Sequence, residues 1–305
     1  MKKILFTLIL AIACVASQAQ ITYTRQDSLN VVNLLKKGRE AIMKNPKENL
    51  MLFYGHKLQG IPYVAHTLEV NKHEQLVVNM RQMDCTTFVE TVLALSMTTK
   101  ESLPSHNGNQ NASHNIQTSS DWQLFVRNLM TIRYRNGKVE GYESRNHYFL
   151  WWAENNEAKG IVSLPLQQMK GNALLAKQRI HIDYMTTHSS SYSMLKGNTK
   201  AVNTIRNYER QSEGKVMMYI PQKNLGLNKS RLSFVKDGDI LAICTRKQGL
   251  DTTHIGIAEW GSDGRLHLLN ASQVHKKVIL EPMTLKTYMS KHPTQLGTWV
   301  LTVNN

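Results

Sequence analysis

Arg81-Gln82-Met83-Asp84-Cys85-Thr86-Thr87-Phe88-Val89-Glu90 is the stretch on which the reading of this chain turns. Asp84 is a residue type that accepts from free N–H groups at a helix start, and Phe88, Val89, Val92 and Leu93 follow at helical spacing, so a helix is predicted from Cys85 to about Met97. Cys85 then falls in the first turn. There the unpaired N–H groups and the positive end of the helix dipole favour thiolate over thiol, and thiolate is the attacking species. The same N–H groups can receive the oxyanion of a tetrahedral intermediate. A cysteine in a first turn is equally at home as a small buried hydrophobe, so the chemical reading needs a base for the sulfur.

Gly249-Leu250-Asp251-Thr252-Thr253-His254-Ile255-Gly256-Ile257-Ala258-Glu259-Trp260 supplies a candidate. On a strand beginning near Thr253, alternation puts His254, Gly256 and Ala258 on one face, leaving room beside the imidazole for a helix to deliver the cysteine. Ser262-Asp263-Gly264 fits a three-residue hairpin loop that pairs Gly261 with Arg265 and sets Asn270 opposite Gly256. Asn270 is then a diagonal neighbour of His254, about 7 to 8 Å away between backbones. A polar amide on the face of Leu266 and Leu268 needs a partner, and Nδ1–H of the imidazole is the expected one, with Nε2 left to face the thiol. His267 points to the other face.

The rest of the chain frames these residues. Lys2 and Lys3, an apolar run from Ile4 to Ala16 and Ser17-Gln18-Ala19 follow the plan of a secretory signal peptide over residues 1–19, with residues 20–305 as one domain. A competing reading makes Cys14 a lipid-modified cysteine that anchors the protein. The apolar run is shorter than the ~20 residues of a membrane-spanning helix, so the expectation is an exported, periplasmic protein without a stable membrane span. Formal net charge is +15 over 305 residues, and loss of Lys2 and Lys3 with the leader leaves +13, which suits an anionic partner. Nucleic acid is disfavoured, because the basic residues are scattered and the leader implies export. Only Cys85 and Cys244 follow the leader, and Cys244 sits in the apolar run Ile240–Cys244 as a core residue.

Asp27 to Asn45 and Trp122 to Tyr134 carry helical periodicity, and Arg145 to Asn155 is rich in aromatic residues. Glu101 to Ser120 has almost nothing to bury and is expected to be a polar surface insertion. From Lys236 onward the pattern changes to strands at Asp239–Arg246, Thr253–Trp260, Arg265–Asn270, Lys277–Glu281 and Thr298–Val303, a meander of antiparallel strands. Helices followed by a compact sheet predict an α+β domain.

Gly60-Ile61-Pro62-Tyr63, the Asp84–Glu90 helix start, Ile132-Arg133-Tyr134-Arg135, Ser144-Arg145-Asn146-His147-Tyr148, Gly238-Asp239-Ile240 and His254-Ile255-Gly256-Ile257-Ala258 together resemble the N-acetylmuramoyl-L-alanine amidase-like family, from about Asn49 to the end. The resemblance implies a papain-like core of NlpC type, a nucleophile helix packed on an antiparallel sheet, with extra N-terminal and inserted helices. It implies catalysis by Cys85, His254 and Asn270, the last in a place where relatives commonly have His. It further implies Tyr63 and Asp84 beside the reacting centre and Arg145, His147, Tyr148 and His188 along the substrate wall, and no cofactor or metal. These substrate residues could instead be an aromatic and basic surface packed on the core. The substrate implied is a muropeptide, cut at the amide between muramic acid and L-alanine.

Four other readings compete. An endopeptidase of the same superfamily would cut between D-glutamate and the diamino acid. A zinc amidase lacks its ligands, since His73-Glu74 is followed by Val77 where a second His is required. A serine hydrolase lacks its Gly-x-Ser-x-Gly elbow. From another class, an envelope-binding module without catalysis would also suit the positive charge.

Overall fold

The computed structural model describes residues 20–103 and 114–304. Residues 1–19, where a leader and the alternative lipid-modified Cys14 are expected, and the middle of the expected polar insertion lie outside the described residues. The first half is mainly helical: α1 (Arg25–Lys44), α2 (Leu50–Lys57), α3 (Cys85–Glu101), α4 (His114–Arg133) and α5 (Phe149–Ala158), with the short parallel pair β1 (Ile21–Thr22) and β2 (Leu76–Val77) among them. The second half holds β3 (Val162–Ser163), β4 (Ala176–Arg179), α6 (Tyr184–Thr187), α7 (Thr199–Ser212), β5 (Val216–Pro221), β6 (Ile240–Thr245), β7 (Thr252–Trp260), β8 (Leu266–Ser272), β9 (Lys277–Leu280), α8 (Leu285–Ser290) and β10 (Gln295–Val303). Helices packed on an antiparallel sheet place the domain in the α+β class. Among the described residues no helix is long and apolar enough to cross a membrane.

The sheet runs in the order β4-β5-β10-β6-β7-β8-β9, with β3 pairing the far end of β10. β6 to β9 form the expected antiparallel run, but β10 does not extend it: the last strand returns to lie between β5 and β6. Its residues explain the place. Gly297 to Leu301 are all buried, as is every residue of β6, and strands covered on both faces belong in the middle of a sheet. Gly297 is also where β10 and β5 close on each other, since a β-carbon there would collide with the Ile220 carbonyl. β4 escapes sequence reading because Ala176-Lys177-Gln178-Arg179 has no apolar alternation.

Each sheet face covers its own core. Ala242, Ile255, Ile257, Leu269 and Ala271 point to the larger one with Phe88, Val92 and Leu93 of α3. Leu241, Ile243, Ala258, Leu266 and Leu268 point to a smaller one with Leu285, Tyr288 and Met289 of α8. This corrects the expected packing around His254. Its neighbours Gly256 and Ala258 look toward α8, and the space above Gly256 is filled by Leu268. α3, which carries Cys85, lies on the opposite, Ile255 and Ile257, side.

α4 begins at His114, so the polar insertion is shorter than residues 101–120. Apolar periodicity starts only where the helix meets the core, at Trp122, Phe125 and Leu129, and a helical turn ahead of that contact leaves no such pattern. α3, α4 and α5 are joined by a buried polar group. Arg133 Nε donates to Glu90 Oε2 at 2.7 Å and its Nη1 to the Val77 carbonyl at 2.7 Å, while Trp152 Nε1 donates to Glu90 Oε1 at 3.2 Å.

Candidate active site

Asp84 caps α3 as its residue type predicts. Its Oδ1 accepts from Thr87 N–H at 2.8 Å and from Thr87 Oγ1 at 2.9 Å, and its own N–H donates back to Thr87 Oγ1. One carboxylate oxygen of Asp84 is thus engaged in shaping the helix start rather than in contacting substrate. Cys85 follows in the first turn and remains partly exposed, whereas Cys244 is buried. Together with Thr86, Thr253, His254 and Ile255, Cys85 lines a cavity of about 180 Å³ whose far wall is Asn146, His147, Tyr148, Phe149 and Trp152. Nucleophile and base candidates, 169 positions apart in sequence, therefore open onto one space.

The expected thiolate is not the resting form. Burial, with the charge of Asp84 added, pushes the Cys85 thiol up to about 11, opposed by N–H groups of Ile255 and Thr86 directed at the sulfur. Burial also moves His254 below the ordinary imidazole value, opposed by its bond to Asn270. Both shifts favour the uncharged species, so the pair rests as thiol and neutral imidazole. Thr87 N–H is held by Asp84 and Thr86 N–H is directed at sulfur, which leaves the Cys85 N–H as the first-turn donor open to an oxyanion.

His254 and Asn270 meet as the hairpin register requires. β7 and β8 pair Ile257 with Leu269 and Ala258 with Leu268, Gly261 N–H donates to the Arg265 carbonyl, and Gly264 takes the left-handed conformation at φ 70°. Asn270 is fully buried, and its Oδ1 lies 2.9 Å from His254 Nε2. The expectation that Nδ1 would make this contact is corrected: the ring reaches across to β8 with its far nitrogen. Asn270 Nδ2 donates to the Leu268 and Ile279 carbonyls, so Oδ1 is the atom turned to the imidazole and Nε2 must carry the hydrogen. Nδ1, nearer the backbone of β7, is left as the basic nitrogen.

Tyr63 forms a parallel bridge with Met83 just ahead of the α3 start, and burial, then the charges of Cys85 and Asp84, push its phenol up to about 12, but it is not part of the cavity wall. Tyr288 of α8 was not anticipated. It is buried, which raises its phenol above the ordinary value, and has its ring 6.3 Å from that of His254. Its position comes from a helix on the other side of the sheet, and nothing in Leu285–Ser290 marks it out locally.

The remaining substrate candidates fare differently. His147 lines the cavity and is held neutral, its pKa lowered to about 3 by burial and by Arg145; its Nε2 donates to the Tyr142 carbonyl at 2.7 Å. Tyr148 also lines it, but its hydroxyl turns away to donate to Glu209 at 2.8 Å and to accept from Met185 N–H at 2.9 Å. Arg145 is not a free cation at a cleft. It is buried, forks onto Glu74 at 2.9 and 2.6 Å, reaches Glu69 at 2.8 Å and lies over the Tyr142 ring. His188 stands outside the cavity, exposed and stacked on Tyr184 at 4.1 Å.

Asp251 is a further residue of the cavity wall whose role the sequence did not reveal. Tyr148 offers α5 no side-chain cap, and Asp251 fills the gap from a distance, accepting from Leu150 N–H at 2.6 Å and from Thr252 N–H at 2.7 Å. It joins the aromatic helix to the strand bearing His254. Asp251→Ala is expected to lower stability by about 2 kcal/mol, because buried N–H groups lose their acceptor; thermal or urea unfolding measures it. Among the described residues no group of three or more His, Cys, Asp or Glu is gathered as metal ligands.

Comparison with known proteins adds a family to this geometry. Residues 54–297 match the model of the N-acetylmuramoyl-L-alanine amidase-like family. A crystal structure of an N-acetylmuramoyl-L-alanine amidase from Bacteroides uniformis is 35% identical, with a TM-score of 0.72 over 84% of this chain and 97% of that one. A Bacteroides fragilis protein provisionally described as a xylanase is 34% identical, with a TM-score of 0.69 over 82% of this chain and 99% of its own. A Legionella pneumophila protein of family DUF1460 shares the fold at 20% identity, with a TM-score of 0.64 over 92% and 95% of the two chains. No protein with a curated description matches. With most of its length matched by the family model and by solved structures of similar size, the chain belongs to the N-acetylmuramoyl-L-alanine amidase-like family.

Proposed function

We propose that this protein hydrolyses the amide between the lactyl group of muramic acid and L-alanine in peptidoglycan fragments, using Cys85, His254 and Asn270, on a core of the papain-like, NlpC type. His254 Nδ1 takes the proton of Cys85, the sulfur attacks the amide carbonyl, and the oxyanion is received by the Cys85 N–H. The imidazolium then gives its proton to the amide nitrogen, the C–N bond breaks and the peptide leaves. Water, activated by the same imidazole, cleaves the thioester and restores the thiol. Asn270 holds the ring with hydrogen on Nε2. The observation that carries the reading is one cavity lined by a partly exposed helix-tip cysteine and by a histidine fixed to a buried amide.

Mass spectrometry of muropeptides after digestion tests it. The expected products are a sugar lacking any amino acid and a peptide beginning with L-alanine. A cut between D-glutamate and the diamino acid would favour the endopeptidase reading, and binding without cleavage an envelope-binding protein. The leader over residues 1–19 supports export and an encounter with substrate in the periplasm.

Acid inactivation follows the direction of the imidazole shift. His254 titrates below the usual 6.5, and only its neutral form accepts a proton, so kcat/KM is expected to hold at pH 6.5 and fall on a limb that lies lower. Asn270→Ala frees the ring, and about a 100-fold loss of kcat with KM nearly unchanged is expected from the lost orientation. A pH–rate profile of the two proteins measures both.

A further inference from the structure

Beside the Cys85 cavity lies a second concavity, of about 440 Å³, between β4 and the turn joining β6 to β7. The two share Leu250. Lys177, Arg179, Arg246 and Lys247 line it and are all exposed, and no aspartate or glutamate is part of its wall. None of these four cations takes part in the ion pairs among the described residues, in contrast to His181 at the margin, which is paired with Glu213 and Asp183. A positive groove without its own counter-charges attracts anions from solution.

The floor of this groove is rigid and is tied to the cavity wall. Gln178 is buried between Lys177 and Arg179, donates from Nε2 to the Thr245 and Asp251 carbonyls at 3.1 Å each, and accepts from Trp299 Nε1 at 3.0 Å. The turn is closed by Thr245 N–H on the Asp251 carbonyl. Arg246 and Lys247 are therefore held a fixed few residues from Leu250 and from the strand that carries His254. An extended peptide advances about 3.3 to 3.6 Å per residue, so groups two to four residues beyond an amide at Cys85 extend roughly 7 to 14 Å from it, and the groove opens next to the Cys85 cavity at Leu250, which lines both.

We propose that the groove is the subsite for the acidic peptide half of the substrate, its cations receiving carboxylates carried within about three residues of the scissile amide. This rests on the hydrolysis proposed above and adds a charge requirement to it: the peptide is selected by its free carboxylates, and amidation of those groups weakens binding. Phosphate-bearing polymers offer the same sign of charge, but the groove is joined to the reaction cavity, which favours an anion covalently attached to the group being cut.

The test separates binding from chemistry. Affinities of Cys85→Ala protein, full length after the leader, are measured by calorimetry for N-acetylmuramoyl-tripeptide and for the same compound with its peptide carboxyls amidated. The free acid is expected to bind about tenfold tighter in low salt, and Arg246→Gln/Lys247→Gln, both at exposed positions, is expected to abolish that preference, as is high salt. Equal affinity for the two compounds, or a preference that survives in the double variant, overturns the proposal. Failure of the reaction itself is seen separately, as a protein with Cys85 intact that binds the free acid and liberates no sugar.

Discussion

Cys85→Ala is expected to abolish muropeptide turnover, with a loss of kcat on the order of 10⁴-fold or more, while the protein keeps its fold. The thiol has no structural burden that alanine cannot carry: it is partly exposed and its helix is capped by Asp84 and Thr87 rather than by sulfur. His254→Ala is expected to cost nearly as much, because the thiol, pushed up to about 11, has no other route to a thiolate at neutral pH. The two losses should not add, since sulfur and imidazole act as one unit, and the double variant is expected to match the more severe single one. Steady-state rates with defined muropeptides, beside circular dichroism of each variant, measure this.

Arg133→Met is expected to destabilise the protein by about 3 to 5 kcal/mol, the largest effect on folding of any single change considered. Glu90 and Arg133 are each 2% exposed, and removing the guanidinium leaves a carboxylate buried with Trp152 Nε1 as its remaining donor. The Val77 carbonyl loses its partner as well. Replacing both partners, as in Glu90→Leu/Arg133→Met, removes the stranded charge, so the double variant is expected to recover part of the stability. Urea unfolding of the two variants separates an unpaired buried charge from simple loss of packing, which the second substitution would only deepen.

Much of the candidate site was legible because it is built from local rules. Asp84 and four apolar residues define α3, and Ser262-Asp263-Gly264 fixes a register that brings Asn270 to His254. Register gives neighbours, however, not which end of a ring meets them, and the Nε2 contact reversed the expected roles of the two nitrogens. The burial that moves Cys85 and His254 toward their neutral forms is likewise a property of the packed cavity, absent from any local pattern. Arg145 looks like a substrate cation in its own segment, since the carboxylates that neutralise it, Glu69 and Glu74, lie more than seventy positions earlier. Distance likewise hides Asp251 as the cap of α5, since the Leu150 N–H it accepts from is 101 positions away. β10 was recognisable as a strand but not as a central one, because pairing partners follow from burial on both faces and from the close approach at Gly297.

The central claim, that the chemistry passes through the sulfur of Cys85, is tested most directly by titrating activity against alkylation. Iodoacetamide is expected to modify Cys85 ahead of buried Cys244, faster as pH rises, and activity is expected to fall in proportion to the fraction of Cys85 modified, reaching zero at one equivalent, while a metal chelator leaves it intact. Full turnover by protein whose Cys85 is completely alkylated, as found by peptide mapping, would contradict the account.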